Sequence, residues 1–574
     1  MLRAAISRLA RRPALVALLL FLTGFAFTAL PSLRYGPPLP ALHDEHANLF
    51  LGETFARGRL TNSPPPGPPE FYQTFHEFIT PRYESKFPPG QGIALAVGIW
   101  LGNPIIGIWL VNGLWAAALF WMLRGATGPG WAFGGALTGV IGYGAMSYWG
   151  YSYWGGSTLA LAGALAFGGA LRLWRKRGNP ISAAAGAGLG CALMALTRPL
   201  DGFIFALLPA GLVGWRLTKW KMENGKWKNR STIALAAIIP ALAGVALLLG
   251  YNLATTGSAF TFAHRLYDQT YLPRMALFVW EKPGPDPPNE PAFFATYENA
   301  FSANMSADPL PATLYWSNLR RYAAAQFGFL FPLWLWPLVA ASAVDCLIRS
   351  RRAQQACAPT PSARRGAGLL RPIPFAHRNG TALIALLSLF FIAIPLFTLR
   401  FYGFSHYIAA WTAPALLLII QGARQIFILK RHLDNSLRWL GCAGIFFLIA
   451  WPVASFTREL TRGAPQWLSY AWVLDQEQVR EDLADLAQKT GRKQLALVVY
   501  PPNHDPHAEW IYNSPDPGAQ DVLWLRALGP ARVPELAKIF PGYDEWLIYV
   551  KADGHFDHRV QIQLPSAPNP VSSL

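Results

Sequence analysis

The sequence predicts a mostly α, polytopic membrane protein with about 11 transmembrane helices and a small C-terminal α/β extracytoplasmic domain. Three observations predict it. The 574 residues are 52% hydrophobic and only 14% charged, with 23 tryptophans, a composition more apolar than a soluble chain and suited to membrane interfaces. Apolar runs of bilayer length recur through residues 1–456. From about residue 457 the pattern changes to short strands and helices.

The elements follow in chain order. The N-terminus has the basic start of a signal peptide, but the apolar run Ala14 to Leu30 lacks a small-x-small cleavage site and reads as a retained first helix. Spans are expected at 13–32, 104–123, 131–149, 156–173, 181–197, 200–216, 232–251, 325–347, 381–399, 406–423 and 438–456. Lys and Arg gather on alternate connections: Arg3, Arg8, Arg11 and Arg12, then 171–179, 215–230, 348–378 and 423–438. The positive-inside rule makes these cytoplasmic, which puts the N-terminus inside and the C-terminal domain outside a bacterial-type inner (plasma) membrane. The net charge of +18 is then mainly a topology signal; no nucleic-acid motif accompanies it, so no nucleic-acid partner is expected. Cys191 and Cys442 fall in spans, Cys346 near a span's inner end and Cys357 in a cytoplasmic loop, so no disulfide framework is implied. The Arg-, Ala-, Pro- and Ser-rich loop 348–378 reads as a linker.

Residues 457–574 form the second expected domain. EQVREDLADLAQKTG has helical spacing, QLALVVY (494–500), DVLWLRAL (521–528) and EWLIYVKA (545–552) read as strands, and PELAKIF (534–540) as a short helix. His504, Asp505, His507 and Glu509 suggest a metal cluster, but they sit among prolines in a surface loop with no defined ligand geometry.

The polar motifs fall on the expected outer side. The external loop 33–103 opens with ALHDEHANL, which sets Asp44 and Glu45 side by side at the membrane boundary, between His43 and His46. Asp44 suits a helix cap, but a cap needs one residue, whereas a general base needs a carboxylate held near an acceptor hydroxyl. In PRYESKFPPGQG, Lys86 stands before a helix start at Pro88-Pro89, a place suited to a phosphate as well as to loop anchoring. TRPLDG (197–202) holds Arg198 and Asp201 in one turn, where they either staple it or serve a site. RFYGFSHY (400–407) adds Arg400, His406 and Tyr407 at the mouth of a span; ionisable groups there often only snorkel.

In this order, the acidic pair, SKFPPGQG, YWGGS (153–157), TRP (197–199) and SHY (405–407), followed by a small C-terminal domain, resemble the GT-C-type integral membrane glycosyltransferases. More narrowly they resemble the bacterial protein O-mannosyltransferase-like and aminoarabinose-transferase-like enzymes, over roughly residues 1–456. The resemblance implies a polyprenyl-phosphate sugar donor, with Asp44 as catalytic base and Glu45 as its neighbour or substitute. It places Lys86, Arg198 and Arg400 at the donor phosphate, with His406 and Tyr407 beside them. The acceptor would be an envelope lipid, glycan or protein presenting a hydroxyl or amine, next to membrane lipid. The flanking histidines depart from the pattern and leave a divalent metal open; no cofactor is certain. The alternative is a multispan lipid or sugar transporter or flippase, which predicts ionisable groups near span centres and repeated halves. Here the strong polar motifs lie at span ends.

Overall fold

The computed structural model of the chain describes residues 12–224, 228–285, 305–331, 380–429, 471–529 and 532–562, with a few single positions between them. The expected linker 348–378 and most of the spans 438–456 and 325–347 lie outside the described residues.

The first half is built from helices α1 (Pro13–Tyr35), α2 (His43–Ala56), α3 (Pro89–Trp100), α4 (Pro104–Ala126), α5 (Pro129–Gly139), α6 (Ser157–Trp174), α7 (Pro180–Thr197), α8 (Pro199–Asn224), α9 (Lys228–Thr256) and α10 (Ala263–Tyr271). Proline opens six of these ten at the first helical position, where its missing N–H costs nothing and its fixed φ suits the helix. Asn103 and Asn179 cap α4 and α7, each side chain accepting from the N–H of the residue two further on. Among the described residues eight segments are long and apolar enough to cross a membrane: α1, α4, α6, α7, Pro199–Lys219, Arg230–Thr256, Gly380–Thr398 and Ser405–Phe427. The protein is therefore a multi-pass membrane protein. Eight of the expected spans are found in place, and at 131–149 stands a shorter helical segment, Pro129–Gly139 followed by Val140–Ala145. There α5 stops at Gly139 and continues as a π-helical turn, Val140–Ala145, because the glycines of GVIGYGA favour a widened turn over a regular helix.

Two short elements lie between the first two spans. The helix α2 follows α1 after a seven-residue connection, and α3 is only 12 residues long, too short to span. Between them a two-stranded hairpin, β1 (Glu77–Phe78) and β2 (Glu84–Ser85), pairs Glu77 with Ser85 and Phe78 with Glu84. A hairpin in this register places His76 across from Lys86, whose N–H donates to the His76 carbonyl at 3.0 Å.

The C-terminal part begins with a helix over Ala471–Thr490 and adds β3 (Gln494–Val499), β4 (Val522–Arg526), a helix over Val533–Ile539, β5 (Asp544–Val550) and β6 (Phe556–Ile562). The sheet order is β4-β3-β5-β6; β3 is parallel to β4 and β5, and β6 is antiparallel to β5. The three expected strands are present. The edge strand β6 was not expected, because FDHRVQI is mostly polar and half-exposed.

Successive side chains of a strand face opposite ways, and both faces of this sheet are covered. Ala496, Val498, Trp524 and Ile548 pack with Val479 and Leu483 of the helix and with Trp510. Leu495, Leu497, Leu523 and Leu525 pack instead with Phe50, Phe71, Tyr72, Ile79 and Tyr83, all from residues between the first two spans. The C-terminal sheet thus shares its core with the first loop, and QLALVV reads as one continuous apolar run because both of its faces are buried.

Candidate active site

The site is assembled around the start of α2. Its N-cap is Leu42, which offers no side-chain acceptor, so Glu45 at the third helical position folds back. One oxygen of Glu45 accepts from the N–H groups of Ala41 (3.0 Å) and Leu42 (3.4 Å), and the other from Tyr153 N–H (3.0 Å). Burial raises the Glu45 carboxyl, partly offset by these bonds. Glu45 therefore fastens the start of α2 to the YWGGS turn. That turn needs glycine: Gly155 and Gly156 have φ of 117° and 115°, and a Cβ on Gly156 would run into the Trp149 ring.

Asp44 points the other way. Its carboxylate lies 3.5 Å from Nε2 of His76, with the Asp44 side chain 25% exposed and His76 5%. His76 is fixed on both sides of its peptide: its N–H donates to the Tyr267 hydroxyl at 2.8 Å and its carbonyl accepts from Lys86. It adopts φ of 67°, a left-handed conformation that a non-glycine residue holds only when the surroundings impose it. The His43 ring lies edge-on to His76, with centroids 4.6 Å apart. One donor atom from each of His43, Asp44 and His76 falls within 4.8 Å of the others.

Electrostatics give these three groups complementary states. Burial alone would raise the Asp44 carboxyl, but His76, through its charge and its ring N–H, together with His43 and Lys86, outweighs it and holds the group well below the usual carboxylate range. Burial, reinforced by neighbouring charge, lowers His43 and brings His76 down to about 4. At neutral pH the cluster is one carboxylate and two neutral imidazoles, the protonation state that a divalent cation requires of its ligands. Two nitrogens and one carboxylate suit a borderline metal such as zinc better than magnesium or calcium.

Lys86 is 6% exposed, and its Nζ lies 3.7 Å from Oδ1 of Asp268 and 4.8 Å from the centre of the Tyr267 ring. The other Asp268 oxygen lies 3.2 Å from Nδ1 of His264. Burial raises Asp268, but His264, Lys86 and His76 bring it down to about 2.

The remaining predicted residues approach from the other helices. Arg198 binds Asp201 (Nε to Oδ2, 2.7 Å), and its guanidinium carbon lies 4.0 Å from the centre of the Tyr407 ring. His406 accepts or donates at Nδ1 with the Tyr148 hydroxyl, 2.8 Å away, and packs against Trp154 and Phe404. Trp154 follows Tyr153, whose N–H binds Glu45, and its carbonyl accepts from Asn48 of α2 at 3.4 Å, so this group adjoins the start of α2. The structure thus brings Asp44, Glu45, Lys86, Arg198, His406 and Tyr407 to one end of the helix bundle. Arg400 is engaged elsewhere: its guanidinium donates to the carbonyls of Phe278 (3.1 Å), Glu281 (2.6 Å) and Ala307 (2.7 Å) and ties down the chain after α10. In the tail, His504, Asp505, His507 and Glu509 do not converge. Glu509 binds Arg526 and Tyr500, His504 meets the Ala508 carbonyl, and His507 stacks on His43.

Sequence reasoning missed His76, Asp268 and His264. The signal for His76 was present in FHEFITPRYESK, a short hairpin that sets its two polar ends, His76 and Lys86, opposite each other. Asp268 and His264 lie in a long loop whose helix is only nine residues, with nothing in the chain to tie it to Lys86.

No family profile matches the chain, and no curated protein matches it. Among solved structures it is similar to the oligosaccharyltransferase of Archaeoglobus fulgidus in its apo form (TM-score 0.48, 12% identity, 93% of this chain and 69% of that one). A form of the archaeal enzyme in complex with an inhibitory peptide and a dolichol-phosphate gives TM-score 0.46, 12% identity, and 93% and 69% coverage. One tethered to an acceptor peptide containing the NVT sequon gives 0.41, 10%, and 93% and 68%. Likeness at this level assigns neither family nor activity.

Proposed function

We propose that the protein is a membrane-embedded glycosyltransferase that moves a sugar from a polyprenyl-phosphate donor to a hydroxyl or amine on the outer face of the membrane. The observation that carries this reading is the convergence of an ionised Asp44, two neutral imidazoles, Lys86 and Arg198, from separate stretches of chain, at one end of a bundle of membrane-length helices. The alternation of basic connections supports placing that end outside. A donor whose tail lies in the bilayer presents its phosphate and anomeric carbon at this level, where neither a soluble pocket nor a span centre would reach it.

Each residue then has a role. Lys86 and Arg198 face the phosphate, whose negative charge grows as the bond to the sugar breaks; stabilising such developing charge is usually the largest catalytic contribution. Tyr407 holds the Arg198 guanidinium by its ring, and His406 fixes the neighbouring Tyr148. Glu45 positions α2. Asp44 carries the negative charge of the site, set to face the positive character that develops at the anomeric carbon. His43, Asp44 and His76 would hold a divalent cation, which when bound supplies additional positive charge to the phosphate. A transporter predicts charged groups along a central path, whereas among the described residues Asp44, Lys86 and Arg198 gather at helix ends.

The test is direct. Full-length protein in lipid nanodiscs is incubated with radiolabelled polyprenyl-phosphate hexoses and pentoses and an envelope extract as acceptor. Conversion of donor to polyprenyl phosphate, absent with Asp44→Asn, is the expected result. Movement of label across a proteoliposome membrane without cleavage of the sugar bond would replace this reading with transport.

A further inference from the structure

The helix α10 carries the sequence AHRLYDQTY, and three of its residues share one face by their spacing: His264, Tyr267 and Asp268. That face is locked to the first loop at several points. Tyr267 accepts the His76 N–H, Phe75 and Phe78 pack with Tyr267, and Lys86 sits against Asp268. The Asp268 carboxylate divides its oxygens, Oδ1 toward Lys86 and Oδ2 toward Nδ1 of His264. An ordinary surface pair at this spacing exposes both partners. Here Asp268 is 12% exposed and His264 44%, so the carboxylate is mostly covered while the imidazole opens to solvent. A carboxylate held on Nδ1 selects the tautomer with its proton there and leaves the lone pair on Nε2.

Glycosyl transfer to a hydroxyl needs a proton acceptor, and the acidic pair is poorly placed to supply it. All three bonds to Glu45 come from backbone N–H groups, and Asp44 faces the His76 ring. We propose that His264 is the general base for the acceptor, with Asp268 as its positioning residue, an inference that rests on the glycosyltransferase reading above. The acceptor O–H proton passes to Nε2 of His264 as the oxygen lone pair bonds to the anomeric carbon. The bond from that carbon to the phosphate oxygen breaks, and its electron pair leaves on the lipid phosphate beside Lys86. The imidazolium then releases its proton to water through its exposed side.

The experiment uses full-length protein in nanodiscs with the same labelled polyprenyl-phosphate sugars and envelope extract. His264→Gln keeps an N–H for Asp268 but has no basic nitrogen. It should lower kcat by about 10² to 10⁴, the range for a lost general base, with donor KM within about twofold. Added imidazole should restore part of the rate to His264→Gly. A kcat of His264→Gln near the wild-type value, a loss confined to KM, or no rescue by imidazole overturns the proposal while leaving the glycosyltransferase reading intact. If the wild type consumes none of the donors, that reading fails first and the pair is judged by chemistry alone. Carbethoxylation of His264 by diethyl pyrocarbonate, mapped by mass spectrometry, should slow several-fold in Asp268→Asn; an unchanged rate shows that Asp268 does not activate the ring.

Discussion

The ring of His507 lies nearly parallel to that of His43, with centroids 5.3 Å apart and planes 14° from each other, so the C-terminal part of the chain forms one wall of the acidic cluster. The contact does not stand alone. His46 stacks on Tyr512, Arg59 grips Asp516 with two bonds, and Arg532 reaches Glu70. If the stack holds the two parts together, His43→Ala and His507→Ala should not be additive. A double-mutant cycle on thermal unfolding in detergent should show a coupling of about 0.5–1.5 kcal/mol, the usual worth of an aromatic pair. Additive effects would mean that the two rings only lie side by side.

Asp44→Asn tests the charge of Asp44 at nearly constant shape. The cap of α2 is Leu42 with Glu45 folded back on it, so the expected capping role of Asp44 is not realised and the substitution leaves the helix start intact. A carboxylate needed for charge should lose about 10² to 10⁴ in turnover while the protein stays folded in the membrane. The paired measurements are donor cleavage and unfolding temperature. Near-normal cleavage would remove Asp44 from the chemistry.

Much of this arrangement was legible in the chain. Apolar length gave the spans, and PP before GQG gave the start of α3, because both signals are local. The pairing of Asp44 and Glu45 was legible as a feature but not as a division of labour. Only the fold shows that Glu45 is used up by backbone N–H groups while Asp44 faces His76. Arg400 and Arg198 look alike in sequence, each at a span mouth beside aromatics, yet four carbonyls of a distant loop engage the first and the ring of Tyr407 meets the second. Such partners lie about 100 to 200 residues away, beyond the reach of periodicity or propensity.

That contrast is testable. Arg400→Ala should leave several carbonyls without a donor and lower stability by about 1–3 kcal/mol, with donor KM little changed in the protein that remains folded. Arg198→Ala should instead raise donor KM and lower kcat, with a smaller change in unfolding temperature. The opposite pattern would return Arg400 to the phosphate and leave Arg198 as the staple of its turn.

Glu84 gives the pH dependence. Burial raises its carboxyl to about 8, only partly countered by Arg82, so it is protonated in the folded protein at neutral pH and ionised in the unfolded chain. Between about 4.5 and 8 the folded state binds more protons, so stability falls as pH rises through that window. Glu84→Gln removes this dependence and should raise stability at pH 8 by about 1–3 kcal/mol relative to pH 5. Unfolding curves of the two proteins at both pH values decide it; parallel behaviour would show Glu84 to be solvated.

Gly90 sets how closely the Lys86 segment approaches Arg198. It lies in the first turn of α3, where an added Cβ would come within 2.9 Å of the Leu196 carbonyl oxygen and closer still to the Thr197 hydroxyl at the end of α7. The obstacle is partly backbone, which cannot rotate away as a side chain tip can. Gly90→Ala must therefore push the start of α3 away from the turn that carries Arg198, at a cost of about 1–3 kcal/mol typical of overpacking. If Lys86 and Arg198 act on one phosphate, the same shift should weaken donor binding although Gly90 offers no side chain to a ligand. A helix interior would ordinarily gain from Ala over Gly, so a neutral or stabilising result would mean that α3 and α7 are not in this contact. A loss of stability with donor KM unchanged would keep the contact and separate Lys86 from Arg198, because the displacement would then have moved only a support.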